Sequence, residues 1–284
     1  LARTRRRLTH LDAARYPADK RSTANEGAML NDLTFQARAA MSRAILARLA
    51  LMVEPLLDAQ DRGIARYTMD PIPTPSPGSE FTRAKVKINL PSERTDIARL
   101  LLGKKDMQRD GNRTQNALQR MLDSSHAAQT ARLFFPLDIP LARDMREGGD
   151  QDWVHREAPC SPLSRDLQVA AVTEYLQMLI YGLVSTEDAE RVRIDCDRAE
   201  DTGEAHDSIT IWHTTDEGQR DLTGRFLGAG GGNINAMSLL CVSFARSHGF
   251  ERKPVLVVDR GAPKTLPAVD VAPTTTYVRR ALAR

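Results

Sequence analysis

The sequence predicts an α+β protein made of two copies of one unit, each reading helix, strand, strand, helix, helix, strand. Three observations lead there. Arg83–Asn89, Arg191–Cys196 and Ser208–His213 alternate apolar and polar residues, the pattern of half-buried strands. Between such segments lie stretches whose apolar residues recur at three- and four-residue steps, the pattern of amphipathic helices. The same order of elements then occurs twice, with similar spacing from a strand end to a glycine: Asn89 to Gly103 in one copy, His213 to Gly228 in the other. Self-similarity on this scale reads most economically as a repeated unit.

The second copy is the clearer one. From Asp166 to Val184 the residues Leu167, Ala170, Ala171, Tyr175, Met178 and Leu179 form a helical stripe. Two alternating strands follow, separated by an acidic loop that contains Gly203. Asp221–Leu227 is a short helical segment leading to the run Gly228-Ala-Gly-Gly-Gly-Asn233. A second helix then places Ile234, Met237, Leu240, Cys241 and Phe244 on one face, and Gly249 stands at a stop position. Pro254–Asp259 is continuously apolar before its final Asp and reads as a buried strand.

The first copy repeats this with more variation. Leu33–Leu57 is expected to be helical and Ile64–Met69 a strand. Pro71–Pro77 carries a proline at every second position and cannot be helix. Arg83–Asn89 is the next strand, Asp96–Leu102 a short apolar segment ending at Gly103, and Thr114–Ala127 a helix. Arg132–Pro136 is expected to lead the final strand. Along Arg83–Ile88 the residues Ala84, Val86 and Ile88 share one face, leaving Arg83, Lys85 and Lys87 on the other. Val192 and Ile194 similarly oppose Arg191 and Arg193.

The composition is that of an ordinary globular chain: 284 residues, 41% hydrophobic, 27% charged, net charge +3. No apolar run approaches the length of a membrane span, so no membrane association is expected. Three scattered cysteines make no disulfide framework, and a reducing compartment follows. That compartment is expected to be a cytoplasm. The mitochondrial matrix is the alternative, raised by an Arg-rich start that also fits a transit peptide. Basic residues gather at both ends, Arg3 to Arg21 and Arg279 to Arg284, as solvated arms or as arms that touch a polyanion. His10, His126, His155, His206, His213 and His248 have no metal-ligand spacing, and no nucleophile elbow or H-E-x-x-H occurs. No catalytic residue, metal or cofactor is therefore expected.

The glycine run carries the functional reading. Leu227, Gly228-Ala229-Gly230-Gly231, then Ala236 and Met237 resemble the GxxG core of KH domains, and the span from Asp166 to Asp259 resembles the small bacterial KH RNA-binding family in element order and length. The resemblance implies type II KH domains, each a three-stranded mixed sheet with helices on one face. The tandem layout also resembles messenger-binding KH proteins of large nucleus-forming bacteriophages. The implied organisation is a basic arm (1–30), a diverged KH-like domain (31–141), a linker (142–165), a KH domain with the GxxG loop (166–260) and a basic tail (261–284). The physics agrees with the resemblance. Amide N–H groups at a helix N-terminus favour phosphate, and glycines let a sugar–phosphate backbone come close.

Two departures matter. The central positions, Ala229 and Gly230, lack the basic residue common in such loops, and the nearest charge is Arg225. In the first copy the corresponding glycines, Gly103 and Gly111, are farther apart. Ala117-Leu118 there matches Ala236-Met237, and basic side chains are gained at Lys104, Lys105, Arg109 and Arg113. The run lacks the last glycine of GxGxxG and the GK[ST] of a P-loop, which argues against a nucleotide loop.

The expected function is non-catalytic binding of single-stranded messenger RNA. The expected contacts are Arg225, Leu227, Gly228, Ala229, Gly230, Gly231, Gly232 and Asn233 in the second copy, and Lys104, Lys105, Arg109, Asn112 and Arg113 in the first. Self-association or ribonucleoprotein partners are further expectations. The alternatives are a ribosomal or organellar ribosomal protein packed on ribosomal RNA, and a protein-interaction scaffold with degenerate KH domains.

Overall fold

The computed structural model describes residues 20–57, 61–73, 82–91, 101, 113–134, 137–142, 161–197, 206–214, 221–250 and 254–259, with side chains from residue 34 onward except those of 113, 142 and 259. The described chain is mixed α and β, with helices packed on small sheets. By contacts it divides into residues 1–39 and residues 40–284. Helix α1, Lys20–Val53, runs from the first unit into the second and starts well before the expected Leu33, inside the stretch read as an arm.

In the second half of the chain, α4 (Arg165–Tyr181) is followed by a short helix α5 (Thr186–Ala189), started by Ser185, whose hydroxyl accepts from the Asp188 N–H at 3.2 Å. Strands β6 (Val192–Asp197), β7 (Asp207–His213) and β8 (Pro254–Asp259) form one sheet in that order. β6 pairs antiparallel with β7, and β7 pairs parallel with β8. Between β7 and β8 lie α6 (Thr223–Leu227), a tight turn over Ala229–Gly231, and α7 (Gly232–Ser247). The inward stripe of the sheet, including Val192, Ile209, Ile211 and Leu256, is buried, as its alternation requires. Arg165 at the head of α4 forms a largely buried ion pair with Asp207 at the head of β7.

The first half has the same strand logic in broken form. β1 (Arg66–Met69) pairs antiparallel with β3 (Val86–Asn89), and β3 pairs parallel with β5 (Leu141–Ala142). β2 (Thr82–Arg83) pairs parallel with β4 (Leu137–Asp138). The pieces keep one register, Thr82 opposite Leu137 and Val86 opposite Leu141, and Ala84 and Val86 donate to Asp138 and Pro140 carbonyls across the gap. Pro140, with no N–H to give the ladder, stands at the interruption.

Two expectations for this half need correction. The helix expected over Thr114–Ala127 is two helices, α2 (Arg113–Ser124) and α3 (His126–Phe134). Ser125 makes the break: its hydroxyl donates to Leu122 O at 2.6 Å and accepts from Ala128 N at 3.2 Å, capping the new helix. Arg132, expected to lead a strand, lies in α3, where it bonds Asp123 and the Leu137 carbonyl.

Within residues 40–284 the halves share a core. Ile45, Leu49 and Met52 of α1, Met121 of α2, Leu176 and Leu179 of α4, and Met237 and Leu240 of α7 belong to one buried cluster. The two helices that follow the glycine loops, α2 and α7, pack against each other. Tyr175 of α4 donates its hydroxyl to Met52 O of α1 at 2.8 Å, and burial raises its pKa well above the ordinary value. Arg48 of α1 is 6% exposed and caps the end of α4, donating to Met178 O at 2.8 Å and Leu179 O at 2.6 Å. Burial lowers its pKa to about 10, which leaves it charged at neutral pH. Gly182 makes room for it. A Cβ built there would lie 1.8 Å from Arg48 Cζ.

Candidate nucleic-acid interface

The glycine loop is built by three positive-φ residues, Gly228 (φ 68°), Gly230 (φ 61°) and Gly231 (φ 75°). L-residues with a side chain rarely adopt such angles, so the run turns the chain sharply from α6 into α7 in very few residues. Ala229 and Gly230 are exposed at the tip, and Leu227 is exposed beside them. Helix α7 then begins at Gly232 and runs 16 residues. The Gly231 N–H donates to Gly228 O at 3.2 Å and the Gly232 N–H to Ala229 O, closing the turn, and the apolar residues Met237, Leu240, Cys241 and Phe244 of α7 are buried. The loop is thus an exposed helix N-terminus, stripped of side chains, on a fixed base.

Asn233 fixes that base. It was expected among the contacting residues, but it is 4% exposed. Its Nδ2 donates to Arg225 O at 2.7 Å, and its Oδ1 accepts from Arg120 Nε at 3.0 Å and Ser124 Oγ at 2.8 Å. A Cβ at Gly228 would stand 2.6 Å from Asn233 Cγ, so this glycine is required by contact as well as by φ. Asn233 positions the loop and also lines the space beside it.

The first half supplies what the loop lacks. Arg120 of α2 lies across the start of α7. Besides its bond to Asn233 it reaches Ala229 O at 3.4 Å, and a Cβ on Gly232 would lie 2.9 Å from its guanidinium. Arg225, expected as the nearest cation, is half-buried and donates to Gln129 of α3. The guanidinium beside the loop core is therefore Arg120, from the first half of the chain. Sequence reading missed it, together with Ser124 and Gln129.

Between the loop and helices α2 and α3 opens a cleft of about 460 Å³. Arg120, Ser124 and Gln129 form one wall, and Asp221, Arg225 and the loop from Gly228 the other. Asp221 Oδ1 accepts from the Thr223 N–H at 2.8 Å and lies 3.1 Å from His213 Nε2. His213, 2% exposed, also lies 3.1 Å from Thr223 Oγ1. This network ties the end of β7 to the start of α6.

Other candidate surfaces sort differently. Trp212 is 7% exposed, and its indole N–H donates to Asp195 at 2.5 Å, so it is not open for base stacking. Arg193 shares the outward face of its sheet with Asp195 and Asp197, and Arg191 is engaged by Asp188, so this face is not a basic surface. In the first half Arg66, Arg83, Lys85 and Lys87 point outward from β1, β2 and β3 and the link between the last two, where Arg83 pairs with Asp138 at 3.0 Å and Lys87 lies 4.0 Å from Asp70. The first-copy residues Lys104, Lys105, Arg109 and Asn112 lie outside the described residues; Arg113 begins α2, with its side chain outside them.

Among the described residues no group of three or more His, Cys, Asp or Glu side chains could hold a metal ion. Nor, among them, is any helix long and apolar enough to cross a membrane. No protein-family model, characterised protein or solved structure matches the chain.

Proposed function

We propose that the chain binds single-stranded RNA, such as messenger RNA, without catalysing a reaction, and that the loop Gly228–Gly231 receives the phosphate backbone. The observation that carries this reading is the exposed Ala229–Gly230 tip at the head of α7, where the Gly231 and Gly232 amides close the turn on Gly228 O and Ala229 O and the amides of Ala229 and Gly230 have no bulky side chain over them. Such amides and the helix dipole favour an anion. The helix–turn–helix between β7 and β8, and the antiparallel-then-parallel order of β6, β7 and β8, support the resemblance to a type II KH module. The repeated strand order in the first half supports a tandem. Two modest sites on one chain gain avidity through their high effective concentration. The outward-pointing cations of the first half and the basic termini add sequence-independent attraction.

A loop of this kind takes a strand whose bases are splayed, so single-stranded RNA is expected to bind at least about tenfold more tightly than a duplex stem of the same length. Fluorescence anisotropy with an unstructured oligonucleotide and a hairpin, at one fixed salt concentration, measures this. Equal affinities would overturn the reading.

A further inference from the structure

Arg120 stands where a cation is not expected. Its guanidinium lies at the head of α7, the end of a helix that carries partial positive charge, and a cation there costs about 0.3–1 kcal/mol. The groups that hold it do not answer its charge. Nε donates to the Asn233 amide oxygen at 3.0 Å and Nη2 to Ala229 O at 3.4 Å, and both acceptors are neutral. Among the described residues no carboxylate pairs with it. Asp221, which lines the same cleft, is engaged instead by the Thr223 N–H and His213. Gly232 shows that the chain makes room for this cation. Its φ of −63° and ψ of −35° are ordinary helical angles open to any residue, and alanine is the better helix former. What glycine provides is space, because a Cβ there would lie 2.9 Å from Arg120 Nε and Nη2.

We propose that Arg120, a residue of the first half, is the phosphate-binding side chain of the glycine loop in the second, and that its guanidinium and the loop tip together hold one phosphate of an RNA strand. The proposal rests on the reading that the loop receives the RNA backbone. Asn233 and Ala229 O take up Nε and one hydrogen of Nη2, the donors along one edge of the guanidinium. The other edge, Nη1 and the second Nη2 hydrogen, bonds nothing among the described residues and has the two-donor geometry that matches a phosphate. An anion there answers a charge that Asn233 and Ala229 O leave standing beside a helix N-terminus. It also accounts for a loop whose central residues, Ala229 and Gly230, carry no cation: the cation arrives from α2. The phosphate site is therefore complete only where α2 packs on α7.

The test measures the affinity of the full chain for one unstructured RNA across a salt series, in the wild type, Arg120→Gln, Arg120→Lys and Gly232→Ala. Loss of one single-strand phosphate contact should reduce the steepness of log affinity against log salt by about 0.7, and R120Q should bind about tenfold more weakly at low salt. R120K keeps the charge, so it should keep the wild-type slope while losing part of the affinity, because lysine does not reproduce the fork. G232A moves the guanidinium without removing it. It should melt no lower than the wild type and yet show the loss seen in R120Q. The double variant should then bind no more weakly than either single one, since both act through one contact. Should R120Q fail to fold, G232A decides: weaker binding at unchanged melting supports the contact, and full affinity rejects it. An unchanged salt slope in a folded R120Q, or losses that add in the double variant, would overturn the assignment and leave Arg120 as a tie between the halves, with RNA binding standing. Absence of RNA binding in the wild type would instead overturn the reading of the loop itself.

Discussion

Replacing Arg48 with alanine is expected to destabilise the protein by about 3–4 kcal/mol, read from chemical denaturation. The loss has two sources. The Met178 and Leu179 carbonyls at the end of α4 lose their donors in a buried place, and each orphaned group costs about 1–3 kcal/mol. A large side chain also disappears from the contact between α1 and α4. Arg48→Met keeps much of the volume, so it should cost roughly half as much. Gly182→Ala reaches the same contact from the other side. The new Cβ would meet the guanidinium, which two hydrogen bonds hold in place, and the change should cost about 1–3 kcal/mol. If Arg48→Ala and Gly182→Ala both leave stability unchanged, the halves are not joined through this cap.

The second large effect belongs to Asn233. Its amide ties three groups together: the Arg225 carbonyl in its own half and the Arg120 and Ser124 side chains in the other. Asn233→Ala should lower stability by about 2–3 kcal/mol, because partners lose their bonds and a space opens against Gly228. It should also weaken RNA binding, since the loop loses the side chain packed beneath it. Asn233→Asp separates the two roles. It keeps the acceptor for Arg120 and Ser124 but sets a second oxygen against the Arg225 carbonyl, so the junction survives while the loop shifts. Denaturation and anisotropy on both variants check this, and equal losses in each would show that Asn233 acts on the loop and the junction as one unit.

Much of the second half was legible because its signals are local. Alternation placed β6 and β7 within a residue or two, the apolar stripe placed α7, and Pro254–Asp259 was read with its bounds as they stand but not with its burial: it is an edge strand whose Val255 and Val257 are exposed. The loop itself was visible as glycine. What the sequence hid was contact between distant segments. Arg120 reads as a solvated helix residue; only the packing of α2 on α7 carries it to a loop more than a hundred residues on. A partial signal existed. Ala117 and Ser124 in α2 and Ala236 and Ser243 in α7 occupy matching positions two turns apart, small residues of the kind that let helices approach closely, and the stripe they mark in α2 includes Arg120. The extra helix α3 depended on one hydroxyl, Ser125, whose capping role competes with an equally good reading as a helix-interior serine. The outward-facing Trp212 was open to a reading as a stacking platform until the cross-strand bond to Asp195 fixed its environment, and that bond depends on the β6–β7 register.

The most direct measurement is RNA affinity after the tip alone is changed. Ala229 and Gly230 are exposed, and no side chain lies within 4 Å of a Cβ placed on Gly230. Aspartates at both positions would set two negative charges where the head of α7 attracts an anion, while the buried stripe of the helix is untouched. The positive φ at Gly230 makes the second replacement a modest strain, about 1–3 kcal/mol, so melting is measured alongside. The account predicts at least about a tenfold loss of affinity for an unstructured RNA in a variant that still unfolds cooperatively. Undiminished affinity in a folded variant would contradict it and would move the RNA contact away from the glycine loop.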